Sequence, residues 1–230
     1  MNADQAVSKK ASMQSDNYAA RLKVDYPGEL DRGSTLLRLI FIIPIAIILS
    51  LVSGSGETVI NTIYLNDAQE VIRRTSETTG GLAASLPVAV ALMILVRQRY
   101  PRWWFDFLRE LTRFGARVCS YAFLLTDKYP STVDTQAVHL EIDYPEVETD
   151  LQRWMPLVKW FLAIPHYIVL AILSVASVFA AIFAWFAIMV TGKYPKDLFD
   201  FNVGVMRWWL RVNAYAFLLV TDEYPPFSLR

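Results

Sequence analysis

The chain has 230 residues, of which 54% are hydrophobic and only 19% are charged. Soluble domains usually carry about 25% charged residues, so this composition indicates a membrane protein. Acidic and basic residues balance at 22 each, which gives no reason to expect a nucleic-acid partner. The single cysteine, Cys119, excludes an intrachain disulfide and a cysteine zinc cluster.

The first residues, 1–17, are polar and contain several Ser, Gln, Asp and Lys. No apolar run follows at the distance that a signal peptide requires. We therefore predict a disordered tail rather than a cleaved signal.

Short motifs recur in the same order in the two halves of the remaining chain. Three matches set the alignment: Val-Asp-Tyr-Pro at 24–27 with Ile-Asp-Tyr-Pro at 142–145, Ile-Pro at 43–44 and 164–165, and Tyr-Ala-Phe-Leu-Leu at 121–125 and 215–219. Such matches predict two tandem modules, 18–131 and 132–230. The first module holds about 27 extra residues, which fall near 54–80.

Each module contains apolar runs that predict two hydrophobic helices. The four helices are expected at about 36–52, 82–96, 156–173 and 176–190. Because the insertion interrupts the first pair, we expect a turn at the matching place in the second, near 174–177. Each helix is shorter than the roughly 20 residues of a full span, so Arg38 and Lys159 are expected to snorkel. Hairpins that cross the bilayer and re-entrant wedges in one leaflet both fit this pattern.

An amphipathic helix is predicted after each pair of hydrophobic helices, and a short alternating strand before each pair. An apolar face rich in Trp and Phe opposite a basic face is typical of an interfacial helix, although packing on the protein's own hairpin is equally consistent. The two matched strands could pair with each other. The candidate lipid contacts on these helices are Arg113, Arg117, Arg207, Arg211, Trp208 and Trp209.

The predicted fold class is therefore an all-α membrane protein. It consists of two tandem repeats of a helical hairpin and an interfacial helix, with a short cytoplasmic strand before each hairpin. Lys and Arg crowd the side of the chain termini, so the positive-inside rule predicts that both termini are cytoplasmic.

The second module carries three motifs that resemble one family. They are Trp-Phe-Leu-Ala-Ile-Pro-His-Tyr at 160–167, Thr-Gly-Lys-Tyr-Pro at 191–195 and Phe-Asp-Phe-Asn-Val-Gly-Val at 199–205. This module resembles the bacterial membrane proteins of domain of unknown function family 4389. The first module departs from the pattern, with Ile45 where His166 stands and Leu108 where Asn202 stands. The resemblance implies a multi-helix protein of the bacterial inner membrane and implies no activity.

No motif in the sequence predicts catalysis, a metal site or a cofactor. His139 and His166 are the only histidines, and neither has metal-ligand spacing to a Cys, Asp or Glu cluster. We therefore expect a non-catalytic accessory subunit or scaffold of a larger membrane complex or homo-oligomer, in contact with membrane lipids. A lipid-interacting or membrane-shaping protein and a transporter or channel component are the alternatives.

The insertion has an apolar stripe at helical spacing between 57 and 74, which predicts an amphipathic helix. Its polar face has mixed charge, and this disfavours anionic lipid as its main contact. We expect it to dock on a partner subunit or a second copy of the chain. The candidate docking residues are Ile60, Ile63, Tyr64 and Ile72.

Replacing Ile60, Ile63 and Ile72 with Ser should release that partner, because it removes the apolar contact surface. The measurement is the size of the solubilised protein by chromatography. An assembly of unchanged size, with the variant folded and inserted, would count against docking through this segment.

Overall fold

The computed structural model describes residues 18–53, 82–132, 134, 136–147 and 151–230. The elements in this part of the chain are β1 (Ala20–Val24), α1 (Arg32–Ser53), α2 (Leu82–Arg97), α3 (Arg102–Ala122), β2 (Val138–Ile142), α4 (Met155–Leu162), α5 (Ile164–Thr191) and α6 (Lys196–Ala216). The predicted insertion helix and its docking residues lie outside the described residues.

The two predicted strands form as expected and pair with each other in an antiparallel sheet. Their apolar residues alternate with polar ones, and the apolar side is buried in the core. Leu22 lies opposite Leu140 at the centre of the pairing. These two residues occupy matching positions in the sequence, on the same offset of 118 that relates the motifs at 24–27 and 142–145.

The central pair of the sheet directs its backbone groups outward. The flanking hydrogen bonds run from Asp25 N to Ala137 O and from Asp143 N to Ala19 O, at 2.9 Å each. Residues directly opposite alternate between hydrogen-bonded and non-hydrogen-bonded pairs, so Leu22 and Leu140 form a pair of the second kind. Their carbonyls therefore face away from the partner strand and need other donors.

Two arginines from the amphipathic helices supply those donors. Arg207 Nε donates to the carbonyl of Leu22 at 2.9 Å, and Arg113 Nη2 donates to the carbonyl of Leu140 at 3.2 Å. Both edges of the two-stranded sheet are thereby held by a helix. This matters because two strands alone are only marginally stable in water.

The hairpin predicted for the second module is wrong. Helix α5 runs without interruption from Ile164 to Thr191, through the segment at 174–177 where a turn was expected. Ser and Ala in that segment are compatible with a helix, and no Gly or Pro breaks it. The helix instead ends at Gly192, which caps it in the left-handed conformation with φ of 74°.

Helix α5 packs antiparallel to α6 along much of its length, so the hairpin of this half is α5–α6. His166 near the start of α5 contacts Trp208 near the end of α6, and Tyr194 just after α5 contacts Asn202 near the start of α6. The reversal takes place over the residues from Gly192 to Pro195.

The two predicted amphipathic helices are present as α3 and α6. Each begins directly after the proline of a Tyr-Pro pair, Pro101 and Pro195, whose backbone is extended. Proline is well suited to this position because its fixed φ and missing N–H cost nothing at a helix start. Helix α6 is more deeply buried than an interfacial helix would be, with twelve of its residues in the core.

Tyrosines of the Tyr-Pro pairs bind within the protein. Tyr26 and Tyr144 donate their hydroxyls to the backbone carbonyls of Tyr194 and Tyr100, respectively. Tyr100 and Tyr194 are themselves buried. The pairs therefore join the two halves of the chain.

The two predicted snorkelling residues are also inside the protein. Arg38 is 2% exposed and binds the carboxylate of Asp127, and Lys159 is 0% exposed with its Nζ 2.7 Å from a carboxylate oxygen of Asp222. Each cation also lies within 5.2 Å of the centroid of a tyrosine ring. Burial with a partner satisfies each charge without bringing it to a membrane surface.

Asp222→Ala should lower the free energy of unfolding by about 3–5 kcal/mol, because it leaves the Lys159 ammonium buried without its counterion. The double replacement of Lys159 by Met and Asp222 by Leu should recover most of that loss. The measurement is the unfolding midpoint in mild detergent, with the exposed Asp197→Asn as control. An Asp222→Ala midpoint equal to that of the control would show that the ion pair does not stabilise the fold.

Candidate functional site

A cavity of 620 Å³ lies between α3 and α6, with the centre of the sheet as part of its wall. Leu22 and Leu140, the central pair of the sheet, both line it. Helices α2 and α5 complete the wall through Pro87, Ser174 and Ser177. The volume falls within the range of about 300–1,000 Å³ that is typical of small-molecule sites.

Each amphipathic helix contributes six residues to this cavity, and the residue directly after each helix contributes a seventh. From α3 and its cap these are Leu108, Leu111, Thr112, Gly115, Ala116, Cys119 and Phe123, and from α6 and its cap they are Asn202, Val205, Met206, Trp209, Leu210, Asn213 and Phe217; Leu218 also lines the cavity, whereas its counterpart Leu124 does not. Every residue of the first set lies 94 positions before one of the second, the same offset that relates the two Tyr-Ala-Phe-Leu-Leu motifs. The two halves of the chain therefore face the cavity with matching positions.

The chemistry at these matching positions differs between the halves. Leu108 stands opposite Asn202 in the alignment, and Gly115 stands opposite Trp209. A Cβ added to Gly115 would meet no atom of the described residues within 4 Å, so among these residues the α3 side of the cavity is open there. The α6 side carries the bulk and most of the polarity.

Asn202 is 1% exposed and belongs to a short hydrogen-bond chain. Its Nδ2 donates to the hydroxyl of Tyr194 at 2.8 Å, and that hydroxyl donates to the carbonyl of Phe123 at 3.4 Å. Burial raises the pKa of Tyr194 to about 12, so the phenol is protonated and can donate at neutral pH. The amide oxygen Oδ1 of Asn202 is buried and has no hydrogen-bond partner among the described residues.

Two serines of α5 also reach the cavity. Ser174 Oγ accepts a hydrogen bond from Trp209 Nε1 at 3.3 Å. Ser177 is buried, and no hydrogen-bond partner for its Oγ lies in the part of the chain that the structure describes. Unpartnered polar atoms on a largely apolar wall are where a ligand could be held and oriented.

Cys119 exposes its surface at the cavity wall while the surrounding protein desolvates the thiol. This desolvation raises the pKa of Cys119. The thiol is therefore protonated at neutral pH and behaves as a weak nucleophile. In the part of the chain that the structure describes, no three His, Cys, Asp or Glu side chains come together as metal ligands.

The four predicted lipid-contact arginines are all engaged with the protein's own backbone. Besides Arg113 and Arg207 at the sheet, Arg117 donates to the carbonyl of Ser131, and Arg211 donates to the carbonyls of Ser228 and Arg230 at 2.7 and 2.8 Å. Arg211 is 2% exposed, and burial lowers its pKa to about 10, at which it still carries its charge at neutral pH. A headgroup contact does not fit Arg211 in this arrangement.

The two predicted lipid-contact tryptophans have different environments. Trp208 is buried, and its Nε1 donates to Nδ1 of His166 at 3.0 Å. Trp209 is 44% exposed and lines the cavity. Of the two, only Trp209 presents a surface to a ligand or a lipid.

Sequence reasoning did not identify the cavity. Its wall combines α3 and α6 with both strands, and no single segment contains enough of it to form a motif. The available signal was the replacement of a large residue by a small one at matched positions, Gly115 for Trp209. In a repeat whose helices face each other, such a replacement leaves space.

The fold and the cavity together define a mainly helical protein with a two-stranded sheet and an uncharged, largely apolar interhelical site. Residues 153–228 match the family described as Domain of unknown function (DUF4389), which is the family that the motifs of this part of the chain predicted. No curated protein and no solved structure matches the chain significantly.

Gly115→Ala should raise the free energy of unfolding by about 0.5–1 kcal/mol, because alanine favours the helix and the new methyl group enters open space. Gly204→Ala on α6 is the matched comparison, since a Cβ there would lie 2.6 Å from the carbonyl oxygen of Leu229 and should destabilise the fold. Unfolding midpoints of both variants provide the measurement. Stability changes of the same sign would contradict the existence of open space at Gly115.

Proposed function

We propose that this chain is a non-catalytic integral membrane protein anchored by α5. Among the described residues, α5 is the one helix of 18 or more residues that is apolar enough to cross a membrane. Its 28 residues correspond to about 42 Å at 1.5 Å per residue, which exceeds the roughly 30 Å of a hydrocarbon core and permits a tilted crossing.

The observation that carries this proposal is the distribution of side chains around α5. In its most apolar stretch only 22% of the residues are buried, whereas the core helix of a soluble protein would be mostly buried. The buried side is polar or small at several positions: His166, Ser177, Ala180 and Ala184. The exposed side carries large apolar residues: Ile168, Ile172, Val175, Phe179, Phe183, Phe186 and Val190. This arrangement suits a lipid environment, in which small residues permit close helix packing and large ones face the acyl chains.

The exposed apolar surface continues on other helices. Leu36, Phe41 and Ile47 of α1 and Leu92 and Val96 of α2 are exposed. Contiguous apolar surface of this extent marks a membrane or a protein interface. A bilayer covers such a surface directly, and a membrane subunit or a second copy of the chain could cover part of it. These are the partners expected of an accessory subunit or scaffold.

We also infer that the two halves are two copies of one module around a pseudo-twofold axis between Leu22 and Leu140. Four features support this inference: the strand register, the paired arginine contacts to the strand carbonyls, the two buried cation–carboxylate pairs and the seven matched cavity positions. In each, residues at corresponding positions in the two motif series play the same part.

A lipid-interacting role is the second candidate function, and the cavity favours it. A scaffold needs only surfaces, whereas a 620 Å³ site with unpartnered polar atoms is suited to a ligand. Location in the bacterial inner membrane follows from the family resemblance and stays a prediction. The cytoplasmic position of both termini, which the positive-inside rule predicted together with two crossing hairpins, also stays a prediction.

Cysteines placed at the two ends of α5 test the anchoring. Arg153→Cys and Lys193→Cys, made separately in a Cys119→Ala background, should react with a membrane-impermeant maleimide from opposite faces of sealed vesicles, because α5 separates them. Both positions are exposed in the structure. Resistance of the protein to alkaline extraction is the control for integral association. Labelling of both positions from one face would show that α5 does not cross.

A further inference from the structure

We propose that the cavity binds an uncharged single-chain lipid alcohol, with its hydroxyl on Asn202 and its chain along the open side at Gly115. This inference rests on the proposed function in one respect, since a bilayer is the source of the ligand.

We infer that most of the ligand is apolar because most of the cavity wall is apolar. Leu, Val, Met and Phe side chains from α3, α6 and the sheet form most of the lining. Water gains few hydrogen bonds in such a space, whereas an alkyl chain buries apolar surface there. The open region next to Gly115 provides room on the α3 side, away from the polar groups.

We infer an uncharged ligand from the same lining, because every lining residue in the part of the chain that the structure describes is uncharged. A carboxylate or phosphate drawn into the cavity would lose its hydration without gaining a counterion, which is strongly unfavourable. Fatty acid anions and phospholipid headgroups are therefore poor occupants.

We infer that the ligand carries a hydroxyl group because two polar atoms of the cavity wall lack hydrogen-bond partners in the described structure. Nδ2 of Asn202 donates one of its two N–H groups to Tyr194, and the Tyr194 hydroxyl donates its single hydrogen to the carbonyl of Phe123. Oδ1 of Asn202 remains and can only accept. A ligand that satisfies it must bring an N–H or O–H donor, and Ser177 Oγ offers a second unpartnered group on the same wall.

The two halves of the chain differ in a way that orients this ligand. The position that matches Asn202 is Leu108, and the position that matches Trp209 is Gly115. The second half therefore supplies the acceptor and the first half supplies the space. A molecule with one polar end fits that difference, whereas a symmetric or wholly apolar molecule leaves the acceptor unpaired.

The test uses Cys119 as the reporter, because it is the only cysteine and lines the cavity. The full chain in phosphatidylcholine nanodiscs is treated with N-ethylmaleimide in the presence of 1-dodecanol, its methyl ether or dodecanoate. We expect 1-dodecanol to slow labelling in a saturable manner. The methyl ether, which has the same chain but no donor, should require about tenfold more for the same protection, as loss of one hydrogen bond predicts.

Two variants locate the binding. Asn202→Leu should abolish the preference for the alcohol over the ether, whereas Asn213→Leu, another asparagine of the lining, should retain it. Gly115→Leu fills the open region and should abolish the binding of 1-dodecanol. The measurement is native mass spectrometry, in which the dodecanol adduct of the protein should disappear. Unfolding midpoints confirm that each variant is folded.

Three results would overturn the proposal: equal protection by the alcohol and the ether, an Asn202→Leu variant that still prefers the alcohol, or no protection by any of the three compounds. The nanodisc measurement reports on the cavity whether or not α5 crosses a bilayer. The vesicle-labelling experiment reports on the crossing alone, so failure of one inference is distinguishable from failure of the other.

Discussion

The antiparallel pairing of β1 with β2 is the contact on which the relation between the two halves of this chain depends. The strands lie 118 residues apart in sequence at their central pair, Leu22 and Leu140, and each is only five residues long. In the part of the chain that the structure describes neither strand has a second neighbour, and helices α3 and α6 stabilise the pairing by binding the outward carbonyls while the apolar side of the sheet is buried. Once the sheet holds α3 and α6 at a fixed separation, their side chains determine whether the space between them is filled. At one matched position α3 carries the small residue Gly115 where α6 carries the large residue Trp209. This difference leaves part of the space between the helices unfilled.

Local patterns in the sequence predicted the elements that depend on local physics. Alternation identified both strands, and helical spacing identified α3 and α6, because each pattern reflects which side of a short element is buried. The predicted turn at 174–177 failed because it was transferred from an insertion in the other half of the chain. A place that tolerates inserted residues in one copy need not be a turn in the other, and α5 has no residue there that would break a helix. Burial of Arg38 and Lys159 was equally beyond local reasoning, since their partners Asp127 and Asp222 lie far along the chain.

The two faces of α5 differ in polarity, because the outer face is exposed and the inner face lies against the protein. The outer face of α5 is apolar and exposed, so it requires a nonaqueous surrounding, while its inner face carries His166 and Ser177 into the protein. His166 has a partner in Trp208, and Ser177 has none in the described structure. Polar atoms that face inward from a membrane helix are costly unless they are satisfied, and they commonly mark a functional position. Under the proposed anchoring, the inner face of α5 is where the membrane helix meets the cavity.

Two of the differences between the halves fall on α5 and α6 in the second half. Ile45 and Leu108 stand in the first half where His166 and Asn202 stand in the second, and the family match also falls in the second half, at 153–228. The frame that the halves share consists of strand pairing, arginine contacts to the sheet and buried ion pairs, all of which hold the fold together. The residues by which they differ carry the unsatisfied acceptor and the open volume. If the halves arose as copies, the stability of the fold constrains the residues that both halves keep. The proposed ligand is then selected by the residues at which the halves differ.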